Sequence, residues 1–117
     1  CLTDFARAVL RAGPRWLLIT DGADGAWLAG PDGLVWRASA PARVQGTAGA
    51  GDAYCSTLVA GLVEDLNAAE ALAQAAANSA SVIESVDTTS GLLDREGAAA
   101  RAAALPDQEA FRRFPLD

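Results

Sequence analysis

The segment from Gly46 to Leu58, GTAGAGDAYCSTL, constrains the fold more than any other part of the chain. Small residues surround one acidic residue, Asp52, and apolar sequence follows at once. Glycine accepts a positive φ without strain and lets the backbone approach a ligand closely. The first N–H groups of a helix have no partner within it, and the helix dipole places about half a positive charge there. The segment therefore predicts a sharp turn into a helix whose N-terminus can bind a phosphate.

Asp52 allows two interpretations. It can cap the start of the helix, a role worth about 1 kcal/mol. It can also accept a proton from a hydroxyl group while the free N–H groups stabilise charge on a phosphoryl group, which explains a carboxylate beside an anion site. The segment lacks the Lys-Ser/Thr ending of a P-loop, and the third glycine of a dinucleotide-binding pattern would fall at Tyr54. Both of those motifs are therefore disfavoured.

Apolar runs and turn residues upstream predict a strand and a hairpin. The run RWLLIT, Arg15–Thr20, is too short for an independent helix and is typical of a strand covered on both faces. A turn at Asp21–Gly25 follows, and a second turn at Gly30–Gly33 separates the two strands of an antiparallel hairpin. This combination favours an α/β sheet. The tail, Asp107–Asp117, receives no assignment.

Helical periodicity predicts two helices around these strands. Apolar residues from Leu2 to Leu10 recur at helical spacing before Gly13 and Pro14, which end the helix. After Asp52, two apolar rows with residues four apart predict a largely buried helix. The rows are Tyr54, Leu58 and Leu62, and Cys55, Val59 and Val63.

Two further helices are indicated by their first residues. Asn67 and Glu70 form a capping-box-like start for a helix that runs towards Glu84. Its inward residues include Leu72, Ala76 and Ile83. Asp94 can cap a last helix that continues through Ala104.

Composition limits the class of protein. The length of 117 residues suits one domain, residues 1–117. Nine basic and fifteen acidic residues give a net charge of −6, so neither nucleic acid nor a membrane is expected as a partner. The chain has no His, so acid–base chemistry falls to other groups. Cys1 and Cys55 indicate a reduced, cytoplasmic setting, with Cys55 as a small core residue.

Three segments resemble the ribokinase-like, or PfkB, carbohydrate and nucleoside kinase family. TAGAGDAY, Thr47–Tyr54, resembles the second family signature. LLITDGADGAWL, Leu17–Leu28, resembles the strand-turn-strand segment that contacts the nucleotide, and AAANSASVIESV, Ala75–Val86, resembles a late helix. The resemblance corresponds to the C-terminal part of a family member and implies part of a Rossmann-like, three-layer α/β/α fold. The chain begins with Cys and has no Met, so we expect it to be part of a longer protein.

The resemblance also implies the roles of individual residues. Asp52 matches the catalytic base, and the anion hole matches Gly49, Ala50 and Gly51. The nucleotide-binding residues it implies are Thr20, Gly22, Gly25, Thr47 and Asn78, the last near the adenine. Each also has a structural interpretation: Thr20 can end a strand, the glycines can serve a turn, Thr47 can brace the loop, and Asn78 can be a solvated helix position.

The implied activity is ATP-dependent transfer of the γ-phosphoryl group to a hydroxyl of a sugar or nucleoside, with Mg²⁺ carried on the nucleotide and no protein metal site. Gly46 replaces an Asp that helps relatives to hold a monovalent cation, which argues against such a cation here. The ending Gly91-Leu92-Leu93 favours a nucleoside acceptor. The alternatives are a non-catalytic remnant that binds a nucleotide or a partner, and, less favoured, a dinucleotide-binding fragment. A homodimer is among the expected assemblies.

Overall fold

The computed structural model describes residues 1–105 and 111–116. In chain order its elements are α1 (Leu2–Arg11), β1 (Leu17–Thr20), β2 (Ala26–Gly30), β3 (Gly33–Arg37), α2 (Ala50–Val63), α3 (Ala68–Ile83), α4 (Arg95–Ala103) and β4 (Phe111–Phe114). A short 3-10 turn, Gly22–Asp24, lies between β1 and β2. The predicted order of helix, strand, hairpin and three helices is confirmed.

The four strands form one antiparallel sheet in the order β1-β2-β3-β4. β2 and β3 make the predicted hairpin, in which Gly30 pairs with Gly33. The prediction that Arg15–Thr20 is covered on both faces is wrong, because β1 lies at the edge of the described sheet and its residues are half-buried or exposed. An edge strand has one neighbouring strand, so its side chains remain close to solvent.

Helices cover both faces of the sheet and give it three layers. On one face, Ala6 of α1 packs with Ala29 and Leu34 of the hairpin. On the other face, Leu28 and Val35 pack with α2 and α3. Alternate residues of a strand point to opposite faces, so neighbouring residues of β2 and β3 serve different layers. The predicted three-layer α/β/α arrangement is confirmed.

Two helix starts carry the side-chain caps that the sequence predicts. The Asn67 side chain accepts the Glu70 N–H at 2.8 Å before α3. The Asp94 side chain accepts the Gly97 N–H at 2.8 Å before α4. Each bond satisfies an N–H group that has no partner within its helix. The predicted inward residues of α3 are buried or half-buried: Leu72, Ala76 and Ile83.

One side of α2 is more exposed than the sequence predicts. The row that contains Tyr54 and Leu58 is buried against the sheet and α3. In the other row Cys55 is exposed, as are Val59 (52%) and Val63 (76%). The prediction of Cys55 as a core residue is therefore wrong, because the described part of the chain packs against one side of α2. Even so, no described helix is both long and apolar enough to cross a membrane.

β4 lies in the tail that receives no assignment from the sequence. It pairs antiparallel with β3, so that Arg112 lies opposite Trp36. The Arg112 guanidinium is 5.7 Å from the centroid of the Trp36 ring, and the ring centroids of Phe114 and Trp27 are 5.8 Å apart. Strand pairing and aromatic contacts together hold this segment on the sheet. The rest of the tail, residues 107–110 and 117, lies outside the described residues.

Replacing Asn67 by Ala should lower the free energy of unfolding by about 1 kcal/mol, because the Glu70 N–H then loses its acceptor. Asn67→Asp is the matched control, since a carboxylate can accept the same hydrogen bond. Urea unfolding followed by circular dichroism measures both variants. If Asn67→Ala is as stable as the wild type, the cap does not contribute to the stability of the fold.

Candidate active site

A cavity of about 580 Å³ lies beside the sheet. Its boundaries are the turn after β1, the segment that leads to α2, the first turns of α2 and the C-terminal half of α3. The predicted site residues that line it are Thr20, Gly22, Gly25, Thr47, Ala50 and Gly51. The described wall contains no charged side chain. The fold therefore brings the proposed nucleotide turn and the glycine loop to the same cavity.

The turn after β1 is held in place by main-chain geometry. The Asp21 N–H donates to the Gly25 carbonyl at 2.8 Å, and the Ser39 hydroxyl donates to the Gly22 carbonyl at 2.7 Å. Gly25 has a φ of +96°, and a Cβ there would lie 2.2 Å from the Arg37 carbonyl oxygen. Only glycine fits this position, which presents backbone rather than side chain to the cavity.

The glycine loop turns into α2 as the sequence predicts. Gly49 is the residue before the helix and has a φ of +82°, in the left-handed region. A Cβ at Gly49 would lie 3.2 Å from the Cβ of Thr88. The Ser79 hydroxyl of α3 donates to the Ala50 carbonyl at 3.1 Å, which ties the first turn of α2 to α3. The N-terminus of α2 therefore lies at the cavity in a fixed position.

Asp52 is exposed in the first turn of α2 and is not among the residues that line the cavity. The interpretation of Asp52 as the helix cap is wrong, because the cap position belongs to Gly49 and no side-chain cap bond forms there. Asp52 directly follows Gly51, which does line the cavity. Its carboxylate therefore lies beside the positive end of α2 and is open to solvent.

Asn78 is buried, so the interpretation of a solvated position is wrong. Its side-chain amide donates to the Thr57 hydroxyl at 2.8 Å, and its carbonyl oxygen accepts the Leu93 N–H at 2.9 Å. Asn78 thus links α2, α3 and the segment before α4. It is not among the residues that line the cavity, and its contact with an adenine stays a prediction.

Several lining residues are absent from the sequence-based site. Ser39, Ala40 and Val44 come from the segment between β3 and α2. On α3, Ala76, Ser79 and Ala80 also line the wall, together with Ile83. The available signal is helical spacing, since Ala76 and Ile83 already belong to the predicted inward row. In an alanine-rich helix, however, that row does not distinguish a cavity wall from ordinary core.

The loop that follows α3 lies against the glycine loop. Asp87 accepts the N–H groups of Thr89 and Ser90 at 2.9 and 2.6 Å, and the Ser90 hydroxyl at 2.5 Å. The bonds from Ser90, with that from Thr89, lower the pKa of Asp87 to about 2. A Cβ at Gly46 would lie 3.3 Å from the Val86 carbonyl oxygen of the same loop. The two loops are therefore in close contact.

The fold and cavity define the class of protein, an α/β/α domain whose helix N-terminus and glycine turns face one binding cavity. The chain matches the family model described as pfkB family carbohydrate kinase over residues 2–95, and it belongs to that family. No similar protein was found among curated sequences.

Solved kinase structures share this fold. The ribokinase of Arabidopsis thaliana, complexed with ribose and ATP, is 21% identical with a TM-score of 0.77, over 86% of this chain and 33% of that one. The nucleoside kinase of Burkholderia thailandensis, in complex with inosine, is 25% identical with a TM-score of 0.75, over 84% of this chain and 33% of that one. The nucleoside kinase of Methanocaldococcus jannaschii is 21% identical with a TM-score of 0.71, over 76% of this chain and 30% of that one. This chain spans about a third of the length of each structure.

Gly49→Ala should lower the free energy of unfolding by about 1–2 kcal/mol, because the new Cβ occupies a left-handed backbone position and crowds Thr88. Gly51→Ala is the matched control, since a Cβ there meets no atom within 4 Å. Urea unfolding should show no loss of stability for that control, because Ala is the better helix former. Equal losses in the two variants would contradict the conformational role of Gly49.

Ser90→Ala should raise the pKa of Asp87 from about 2 towards its ordinary value, because the hydroxyl that stabilises the carboxylate is lost. In the wild type the pKa is depressed, so the carboxylate stabilises the loop above about pH 4 and this contribution disappears as the pH falls towards 2. Carboxyl ¹³C NMR titration measures the pKa. Ser81→Ala is the control, and an identical pKa in Ser90→Ala would exclude the proposed cause.

Proposed function

We propose that the chain is the nucleotide-binding and catalytic part of a kinase that transfers the γ-phosphoryl group of ATP to a hydroxyl of a sugar or nucleoside. One observation carries this proposal: the turn Thr20–Gly25 and the N-terminus of α2 line the same cavity, and Asp52 lies beside them. Membership of the pfkB family supports it. The proposed domain comprises residues 1–117, and a cytoplasmic setting and a homodimer stay predictions.

In this proposal the main chain stabilises the transferred phosphoryl group. The first N–H groups of α2, at Ala50, Gly51 and Asp52, have no acceptor four residues back within the helix. The Ala50 N–H donates to the Thr47 carbonyl at 3.4 Å, so Gly51 and Asp52 carry the donors that this proposal uses first. They point along the helix axis towards its start, where the dipole favours negative charge. Because Ala50 and Gly51 have little or no side chain, a phosphate can approach these groups closely. Such preorganised donors stabilise charge as it develops in the transition state.

Asp52 then acts as the general base. Its carboxylate is exposed on the solvent side of the helix start, where an acceptor hydroxyl can arrive within hydrogen-bond distance. The carboxylate removes the hydroxyl proton as the acceptor oxygen attacks the γ-phosphorus, and the bond from that phosphorus to the bridging oxygen breaks in line, so that ADP leaves. Repulsion between Asp52 and the nucleotide phosphates is offset by the N–H groups of the same helix turn.

Two cations enter the proposal differently. Mg²⁺ is carried on the nucleotide phosphates, where it neutralises their charge. The described residues contain no group of three acidic or Cys side chains that could hold a metal ion by themselves. A monovalent cation lacks the side-chain ligand implied by the family pattern, because Gly46 offers only backbone next to the Ser85 and Val86 carbonyls. We therefore propose that no such cation is held at Gly46 through a side chain.

The acceptor is proposed by class. The Arabidopsis thaliana structure contains ribose and ATP, and the Burkholderia thailandensis structure contains inosine. These ligands belong to those proteins, and they support a sugar or nucleoside acceptor here. The Gly91-Leu92-Leu93 ending favours a nucleoside.

A non-catalytic module that binds a nucleotide or a partner is the second candidate function. The observation that favours it is that Asp52, the proposed base, is not among the residues that line the cavity. The cavity by itself accounts for nucleotide binding, whereas phosphoryl transfer also requires a surface that holds the acceptor beside Asp52. The kinase and the nucleotide-binding form of the module thus differ in turnover and agree on nucleotide binding.

Asp52→Asn, in the chain together with any flanking sequence of its gene, should reduce turnover by at least about a hundredfold and leave ATP affinity nearly unchanged, because the amide cannot accept the proton. Calorimetry measures ATP binding, and a coupled ADP assay with pooled sugars and nucleosides measures turnover. Asp65→Asn, an exposed acidic residue beyond the end of α2, is the control.

Turnover that survives Asp52→Asn would rule out the base assignment. ATP binding without turnover in the wild type, under the same conditions, would favour the non-catalytic module. Absence of ATP binding in the wild type would overturn the kinase and the nucleotide-binding module, and would leave the partner-binding module.

A further inference from the structure

Two buried polar groups without hydrogen-bond partners, one on α2 and one on β3, belong to residues that interact electrostatically. The Tyr54 hydroxyl is buried without a hydrogen bond, and so is Nε of Arg37. Tyr54 is 7% exposed and Arg37 is 4% exposed. Burial raises the pKa of Tyr54, and the nearby Arg37 charge partly opposes that rise. At neutral pH the pair is therefore a neutral hydroxyl donor beside a cation.

The fold places Tyr54 in the cavity wall, and Arg37 lies near Tyr54 without lining the cavity. Arg37 is the last residue of β3, and by strand alternation it shares with Val35 the sheet face that α2 and α3 cover. Tyr54 lines the cavity from α2, one helical turn beyond Ala50 and Gly51. The charge of Arg37 is thus close to the cavity but outside its lining, and Tyr54 is the lining residue on α2 that interacts with that charge.

Buried groups of this kind destabilise a fold unless something satisfies them. None of the ion pairs formed within residues 1–105 and 111–116 involves Arg37. A buried cation without a counter-ion raises the electrostatic potential in the adjoining cavity, and the effect is strong because little water screens it. An anion bound in the cavity would supply a counter-ion that the described residues 1–105 and 111–116 do not provide.

The charge of the whole chain makes a local cation more important. The net charge of −6 repels a phosphate, and the sequence contains no Lys that could neutralise one. The α2 N-terminus supplies partial charge, and Asp52 in the same turn opposes it. Arg37 adds a full positive charge from the opposite, buried side.

We propose that Tyr54, in the cavity wall, and the nearby charge of Arg37 form a positive floor for the cavity, which selects phosphate-bearing nucleotides over uncharged nucleosides. The inference rests on the proposed nucleotide site and assigns its charge selectivity to two particular side chains. Arg37 acts through its charge, and Tyr54 offers its hydroxyl as a hydrogen-bond donor while its ring forms the wall.

Calorimetry with ADP and adenosine tests this proposal, because the two ligands share the nucleoside and differ in charge. Arg37→Met should lower the ratio of ADP affinity to adenosine affinity about tenfold, through weaker ADP binding. Arg7→Met is the matched control. Arg7 also has a buried Nε without a partner, but it lies on α1, across the sheet, and pairs with Asp4. That control should leave the ratio unchanged.

Tyr54→Phe gives a readout that a purely structural role would not produce. Removal of an unsatisfied buried hydroxyl should raise the thermal midpoint of the ligand-free protein, and the same variant should bind ADP several-fold more weakly. A lower midpoint with an unchanged affinity ratio would mean that the hydroxyl serves the fold alone, and the proposal would be overturned.

Pyrophosphate separates failure of this inference from failure of the proposed function. If neither ADP nor adenosine binds the wild type, the proposed nucleotide site is wrong. The thermal shift caused by pyrophosphate then tests the positive floor by itself. It is measured at 0.15 M ionic strength, about the physiological value. If pyrophosphate raises the thermal midpoint of the wild type and of Arg7→Met but not that of Arg37→Met, the result supports the positive floor. Equal behaviour of all three proteins overturns it.

Discussion

Contact between the first turns of α2 and the C-terminal half of α3 fixes the geometry of the whole candidate site. The hydrogen bond from Ser79 to the Ala50 carbonyl holds the start of α2, and Asn78 holds Thr57 two turns further along. Along the same part of α2, Tyr54 and Leu58 pack into the same cluster as the alanines of α3. The direction of the α2 axis, and with it the position of its free N–H groups, follows from this contact.

Small side chains allow that contact to be close. Gly61 of α2 faces Ala71 of α3, and a Cβ at Gly61 would lie 3.2 Å from that of Ala71. Towards the cavity, Ala76 and Ala80 leave open space where larger residues would fill it. The alanine-rich composition of α3 therefore has two uses along one helix: close packing at one end and a cavity wall at the other.

Local signals in the sequence were sufficient for the elements and for part of the site. Turn glycines, caps such as Asn67 and helical spacing depend on neighbouring residues, and the structure confirms them. Burial depends on distant residues instead. The rows of α2 that contain Tyr54 and Cys55 are similarly apolar, and only the position of the sheet decides that the first is buried. β4 also lacks a strong local signal, because it is held by pairing with β3. Likewise Arg37 resembles an exposed strand end until strand alternation places it under α2.

A binding surface composed largely of main-chain groups has a consequence for the divergence of sequences. The groups that face the cavity at Gly22, Gly25, Ala50 and Gly51 are mostly peptide units, which every residue possesses. Selection can therefore act on the path of the backbone and leave most side chains free to drift. The three kinases superpose on this chain with TM-scores of 0.71 to 0.77 although only 21% to 25% of the residues are identical. The shape of such a site depends on a few backbone torsion angles, which at Gly25 and Gly49 lie where glycine alone is free of strain.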